Sequence, residues 1–404
     1  MLLLWYNIYM KTYRSVMLCA VTFLFAIALL FTNTSSVSAQ FASTPNLKPE
    51  IIGLMDRGMD DPSQPWSAPD PTNQSYLGQP ITGYAVNVGW NELQPTKNGP
   101  IASNTRLDKA LAQVRAFNTS NPTTPLHLRL RVFAGVNSPS WAMNLDGTAM
   151  TLDCYDIPIP FSCFGGPEGS TPLPPDPTVK VPRFWGPNYM AAYKQLLNKL
   201  STKYDSAPEI VEIDISGCST MYPEPFLKQF GLGNNKKTYL TAGWTQSKDV
   251  TCQKANFNDF LSAWPTTSVG VALNPYDTIN STGQFAQSDS VTYSLMQYCR
   301  NQLGNRCVLE NYSTRTPALA GTYTQMYSEM TALGPPIAYQ TAIDSRVGNL
   351  DTTLCSDMTS GKAIDIELAR GYDDPSNPYG IYRTPAQLMP YSKSMAPQGS
   401  AACP

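Results

Sequence analysis

Two stretches, Gly83-Tyr-Ala-Val-Asn-Val-Gly-Trp-Asn-Glu-Leu-Gln-Pro95 and Leu126-His-Leu-Arg-Leu-Arg-Val-Phe-Ala-Gly-Val-Asn-Ser-Pro-Ser-Trp141, decide the fold. Each begins as an apolar-rich strand from Ile81 or Leu126 and ends in Gly, Asn and Trp. Between them Thr105 to Asn118 places Leu107, Leu111 and Val114 at helical spacing. Strand, helix, strand with a loop at each strand's carboxyl end is a βα unit of a parallel sheet.

Six further strand segments follow the same rhythm: Ile51 to Asp56, Ile210 to Ser216, Ser268 to Asn274, Arg306 to Asn311, Pro336 to Thr341 and Ala363 to Leu368. Helical stretches occupy Tyr189 to Tyr204, Ser288 to Asn301 and Tyr323 to Leu333. Eight alternating units with no linker between them predict closure into a single-domain α/β fold, a (β/α)8 TIM barrel. The proline-rich segment Ile157 to Pro187 is then a long insertion after strand three, on the barrel's active face.

Strand parity fills in the interior. Side chains alternate between the helix layer and the barrel lumen, and the helix-facing set must be apolar. With Leu126, Leu128, Leu130 and Val132 outward, His127, Arg129 and Arg131 turn inward. With Val211, Ile213 and Ile215 outward, Glu212, Asp214 and Ser216 turn inward; Ile364, Ile366 and Leu368 likewise leave Asp365 and Glu367 inside. Gly83, Ala85 and Asn87, and Gly270, Ala272 and Asn274, supply small or amide residues opposite this bulk. An unpaired buried charge costs several kcal/mol, so Arg129 and Arg131 are expected to pair with Glu212, Asp214 or Asp365.

Residues 1–39 stand outside this fold. Lys11 and Arg14 precede an apolar run from Val16 to Phe31, and Val37-Ser38-Ala39 is a small-residue cleavage site. The segment reads as a secretory signal peptide, leaving a barrel of residues 40–404 and an extracellular location; a membrane contact arises only if the segment stays uncleaved as an anchor. Cysteine use agrees with export. With Cys19 in the signal, eight cysteines remain and none forms Cys-x-x-Cys beside histidine; proximity favours Cys154–Cys163, stapling the long insertion, and Cys299–Cys307, with Cys218–Cys252 and Cys355–Cys403 as the remaining pairs. Asn73, Asn118, Asn280 and Asn311 lie in glycosylation sequons.

Composition removes several function classes. A net charge of −2 without a basic run gives no footprint for nucleic acid. No Walker loop and no Gly-x-Gly-x-x-Gly is present, so no nucleotide cofactor is expected. The single histidine, His127, lies early in its strand, which gives no support to serine or cysteine triads or to a histidine-ligated metal. Carboxylates remain, and glycosidic hydrolysis needs only two of them, an acid for the leaving oxygen and a nucleophile or base. Glu224, Glu310, Asp344 and Glu367 fall at or beyond strand ends. Glu224, in the tight aromatic and proline loop Gly217 to Phe226, is placed for acid work, and Glu367, close to Arg370, for the partner role. Asp344 reads as a loop salt bridge with Arg346. Substrate contacts are expected from Asn87, Arg131, Asn274 and Glu310, and stacking from Trp90, Trp141, Tyr222 and Tyr312.

These residues carry a resemblance. Trp90-Asn-Glu-Leu-Gln-Pro-Thr-Lys-Asn-Gly99, Leu107-Asp-Lys-Ala-Leu111, Leu130-Arg-Val-Phe-Ala-Gly135 and Pro139-Ser-Trp141 resemble the early βα units of clan-A glycoside hydrolases, notably the β-galactosidase type. The loop Gly217 to Phe226 is similar to the segment after strand four of β-amylase-like barrels, with Glu224 at the position of the acid. The resemblance spans about residues 51–226 and implies a barrel that acts on carbohydrate. Two positions depart from it. The Asn-Glu that ends strand four in that clan is replaced by Ile215-Ser-Gly-Cys218, and the strand-seven glutamate by Gln340. Glu367 as second carboxylate therefore comes from strand parity alone. The reading is a secreted glycoside hydrolase cleaving O-glycosidic bonds of a polysaccharide or oligosaccharide; the alternative is a non-catalytic glycan-binding or cell-surface barrel.

Overall fold

Strand parity and turn placement produce the expected closure. The computed structural model describes residues 46–57, 75–154, 178–399 and 402–404. By contacts the chain divides into Met1–Ala42 and Ser43–Pro404. The first unit, with the signal segment and Cys19, lies outside the described residues, as do Asn73, Cys163 and most of the insertion after strand three.

Eight parallel strands close a barrel: β1 (Gly53–Asp56), β2 (Ile81–Gly89), β3 (His127–Phe133), β4 (Ile210–Asp214), β5 (Ser268–Ala272), β6 (Cys307–Thr314), β7 (Ile337–Thr341) and β8 (Asp365–Leu368). Each pairs with its sequence neighbours, and β8 returns to β1. The outer layer comprises α1 (Arg106–Ser120), α2 (Pro187–Tyr204), α3 (Asn235–Thr241), α4 (Gln246–Ala263), α5 (Asp289–Leu303), α6 (Thr322–Leu333), α7 (Leu350–Thr359) and α8 (Pro385–Ser394). Thr105 caps α1 in a reciprocal capping box with Asp108, which fixes where the first helix leaves the loop. Two antiparallel strand pairs follow barrel strands, Met150–Asp153 with Thr178–Val181 after β3, and Tyr276–Ile279 with Phe285–Ser288 after β5. Among the described residues no helix is long and apolar enough to cross a membrane.

The helix-facing set Leu128, Leu130, Val132, Ile213, Val269, Val271, Leu309 and Ile366 joins one continuous apolar core, each residue about 0% exposed. Val211 departs from its expected outward position. The β3–β4 register slips between Leu128 and Arg129, and at that irregularity Val211 joins Ile51 and Met55 in a small separate cluster. Ser216 also departs: past the end of β4 it meets Val132 O and the Tyr193 hydroxyl of α2, on the helix side.

Disulfides Cys218–Cys252, Cys299–Cys307 and Cys355–Cys403 form, the second as sequence proximity favoured and the other two as the pairs that remained. The first ties the loop after β4 to α4, and the third ties the C-terminal tail to α7. Asn311 is fully buried, its amide on Leu273 O at 2.7 Å, so the fold closes that sequon to modification, whereas Asn280 is exposed.

Register stacks the interior in layers. Asn87, Arg131, Asp214 and Gly270 are successive partners across β2 to β5. Gly270 leaves room for its neighbours: a Cβ there would lie 2.6 Å from Asp214 Oδ1 and 2.8 Å from Glu310 Oε1. Gly270→Ala should therefore cost roughly 1–3 kcal/mol through overpacking, read as a lower urea midpoint. An unchanged midpoint would mean that the two carboxylates yield freely.

Candidate active site

Arg129 and Arg131 organise the lumen. Arg129 places Nε 2.5 Å from Glu212 and 3.1 Å from Glu310, and Nη2 2.8 Å from Asp365. Arg131 sends Nε to Asp214 at 2.6 Å and grips Glu367 with two bonds of 2.8 and 2.6 Å, while Nη1 also reaches Gln340 at 2.9 Å. The expected pairing with Glu212, Asp214 and Asp365 is thus present, joined by Glu310 and Glu367. Oxygens of Glu212, Asp214 and Glu310 converge within 4.8 Å of one another. The positive charge nearest Glu212 and Glu310 is the Arg129 guanidinium, which suits a structural cluster better than a metal seat.

Two arginines face five carboxyl groups, so protons must supply part of the balance. Geometry locates one of them. The Tyr312 oxygen lies 2.5 Å from Asp214 Oδ2 and 2.6 Å from Glu310 Oε2. A phenol donates a single proton, so one of these contacts needs a carboxyl O–H as donor. Burial, reinforced by the neighbouring Glu310, pushes Asp214 up to about 7; burial pushes Glu310 up to about 8 and Asp365 up to about 7.

Unfolded carboxyls titrate near their ordinary values of about 4. Between roughly pH 4 and 8 the native state therefore holds protons that the unfolded chain releases, and stability falls as pH rises through this window, levelling off above about pH 8. Thermal unfolding should be several degrees higher at pH 5 than at pH 8. A flat or rising profile would contradict the proton-sharing arrangement.

Glu224 sits above this network, half-buried in the loop after β4. Its backbone is held from several sides. Buried Lys228 donates to Cys218 O at 3.2 Å and to Pro225 O, and forms an ion pair with Asp249 at 3.4 Å. Gln253 Nε2 also donates to Pro225 O, at 3.0 Å. Gly135, at φ +52°, lets the loop after β3 pass so close that a Cβ would strike Thr220 O; Val136 N instead donates to that carbonyl at 2.9 Å. Asn274 Nδ2 donates to Glu224 Oε1 at 2.8 Å, and Tyr323 at the start of α6 donates to Asn274 Oδ1 at 2.8 Å. Burial raises the Glu224 carboxyl above its ordinary value, against the pull of Asn274, Arg131 and Arg57.

The other predicted residues divide between the lumen and the outer wall. Glu310 is fully buried beneath Tyr312, itself 7% exposed. Glu367 is fully buried on Arg131 rather than turned towards Arg370. Asn87, 2% exposed, lies near the carboxyl end of β2 as the register partner of Arg131. Trp90 is fully buried on the helix side, edge-on to Trp141, Tyr189 and Tyr193 at 5.4–5.6 Å, with no face open to a ligand. Trp141 is half-buried and donates to Gln94 O at 3.2 Å; Gln94 also bonds Trp90 and Gly99, knotting the two aromatic motifs into one wall. Tyr222 is half-buried in the Glu224 loop. Asp344 accepts from Ser345 N at 2.7 Å and from Asn377 at 3.4 Å. His127, half-buried near the amino end of β3, is held below its ordinary value by burial.

Sequence reasoning missed Tyr323, Lys228 and the grip of Gln340 on Arg131. Tyr323 opens a predicted helix directly after strand six, and that position was the available signal for it.

No family model and no curated protein matches the chain. Among solved structures it is similar to endo-glycoceramidase II from Rhodococcus sp., at 14% identity and TM-score 0.41, covering 85% of this chain and 79% of that one. It is also similar to the endoglucanase Cel5A of Pseudomonas stutzeri, at 10% identity and TM-score 0.44, covering 87% and 96%. A further glycoside hydrolase matches at 9% identity and TM-score 0.43, covering 80% and 89%. The barrel itself is established by its closed strand order, and the chemistry rests on the residues of the site.

Proposed function

We propose that the protein is a secreted glycoside hydrolase that cleaves O-glycosidic bonds of a polysaccharide or oligosaccharide, with Glu224 as general acid. The observation that carries this reading is the Glu224 carboxyl itself: half-buried at the carboxyl end of β4, raised by desolvation, and oriented through one oxygen by Asn274. The other oxygen is left to hold the proton that a leaving alkoxide needs. Glu367 is the partner carboxylate, reached from the mouth by displacing Arg131 from one of its oxygens. Disulfides and the signal-like amino terminus support export.

A second reading is a barrel that binds glycans without cleaving them. Full burial of Glu367 in a bidentate ion pair, with Gln340 beside it on the same arginine, favours this reading. Reducing-sugar release across a panel of neutral polysaccharides separates the two. Release supports the hydrolase; retention on a polysaccharide without release over days supports the binding barrel.

A further inference from the structure

The Glu224 carboxyl is one end of a hydrogen-bonded chain that runs to an outer helix. Asn274, 1% exposed just beyond β5, donates from Nδ2 to Glu224 Oε1 at 2.8 Å and accepts on Oδ1 from the Tyr323 hydroxyl at 2.8 Å. Tyr323 is half-buried in the first turn of α6, where the Thr322 hydroxyl bonds Gln287 of the strand Phe285–Ser288 at 2.6 Å and so ties the helix start to the segment after β5. One turn further along, Tyr327 makes the same kind of bond to a different amide, its hydroxyl donating to Asn311 Oδ1 at 2.9 Å. The charged groups acting on Glu224 are Arg131 from β3 and Arg57 beyond β1; those acting on Tyr323 are Glu224, Asp277 after β5 and Arg315 beyond β6.

A carboxamide offers a donor on one side and an acceptor on the other, and a half-turn of the side chain exchanges them. Protonated Glu224 does not choose between the two settings. Its Oε1 can accept from Nδ2 while the proton sits on Oε2, or it can carry the proton itself and donate to Oδ1. Only the first setting leaves the proton on the oxygen that Asn274 does not hold. The phenol breaks the tie, because with the amide reversed its own proton would lose the acceptor it has, Asn274 Oδ1. We propose that Tyr323 is a positioning residue for the proton donor, holding the Asn274 nitrogen towards Glu224 so that the acidic proton stays on Oε2. The assignment rests on Glu224 as general acid, but its test needs no turnover.

The titration of Glu224 reports the amide setting directly. A donor on Oε1 favours the ionised carboxyl, and an acceptor there favours the protonated one. Tyr323→Phe removes one oxygen from a half-buried ring and frees the amide to reverse. It should therefore move the Glu224 midpoint about 0.5–1 pH unit higher, the size expected from a single hydrogen bond. The midpoint is read by carbon NMR of the side-chain carboxyls in protein isotopically labelled at glutamate, with the Glu224→Gln spectrum identifying the resonance. Since no hydrolysis is needed, failure of this assignment and failure of the hydrolase reading are separate results. In an Asn274→Ala background the Tyr323→Phe change should leave the midpoint where it is, because the phenol acts through the amide. Tyr327→Phe should also leave it in place, because that hydroxyl serves Asn311. An unmoved or lowered midpoint in Tyr323→Phe, a shift of equal size in the Asn274→Ala background, or an equal shift from Tyr327→Phe would each overturn the proposal.

Discussion

Arg129→Met should lower the unfolding free energy by about 3–5 kcal/mol, the range for removing one partner of a buried ionic cluster. Total stabilities of folded domains lie near 5–15 kcal/mol, so this single change takes a large share. The reason is geometric. One guanidinium, fully buried, faces Glu212, Glu310 and Asp365 at 2.5, 3.1 and 2.8 Å, and methionine fills its volume without its charge. The abandoned carboxyls can respond only by taking up protons. The deficit should therefore be smaller at pH 5 than at pH 8, which separates lost charge from lost packing. Arg129→Lys should recover only part of the loss, because an ammonium carries its three donors on one nitrogen and cannot span carboxyls that Arg129 meets through separate nitrogens. Urea unfolding at both pH values checks this; a deficit under about 1 kcal/mol that ignores pH would mean the cluster is not what holds the lumen together.

Glu224→Gln should reduce hydrolysis by a factor of roughly 10² to 10⁴, the span attributed to general acid catalysis, while leaving stability near wild type. Glutamine keeps the shape and the bond to Asn274, and removes only the transferable proton. The Asn274 amide donates to Glu224 Oε1, and the glutamine side-chain oxygen can accept the same bond. The acid must be protonated to work, and its carboxyl is raised by burial, so wild-type kcat/KM should fall as pH rises through that raised value. In Glu224→Gln this alkaline fall should vanish along with the activity. Asn274→Ala is a gentler version: the carboxyl stays but loses its orientation.

Much of the barrel was legible because the apolar period is strict. Leu128, Leu130 and Val132 leave no choice about which face of β3 meets the helices, and Arg129 and Arg131 follow. Short cysteine spacings disclosed Cys299–Cys307 for a similar reason, since chain proximity limits the options. The site was harder. Glu310 was read as a strand-end contact, but β6 runs on to Thr314, so the residue lies within the strand and points into the lumen. Trp90 was read as a stacking plate, although parity from Asn87 already assigned it to the outer face. The partner of Glu367 could not be read at all. Arg131 crosses the lumen from β3 to β8, and radial reach has no signature in a linear pattern. Val211 shows the same limit from the other side, because a register slip reverses parity without a mark in the sequence.

The central claim is that Glu224 delivers a proton to a glycosidic oxygen. Its most direct test is reducing-sugar release by the purified protein from neutral polysaccharides, with Glu224→Gln assayed alongside at equal folded concentration. The account predicts release by the wild-type protein and a loss of at least about a hundredfold in the variant. Equal release by both proteins would remove Glu224 from the chemistry, and no release by either would contradict hydrolysis itself.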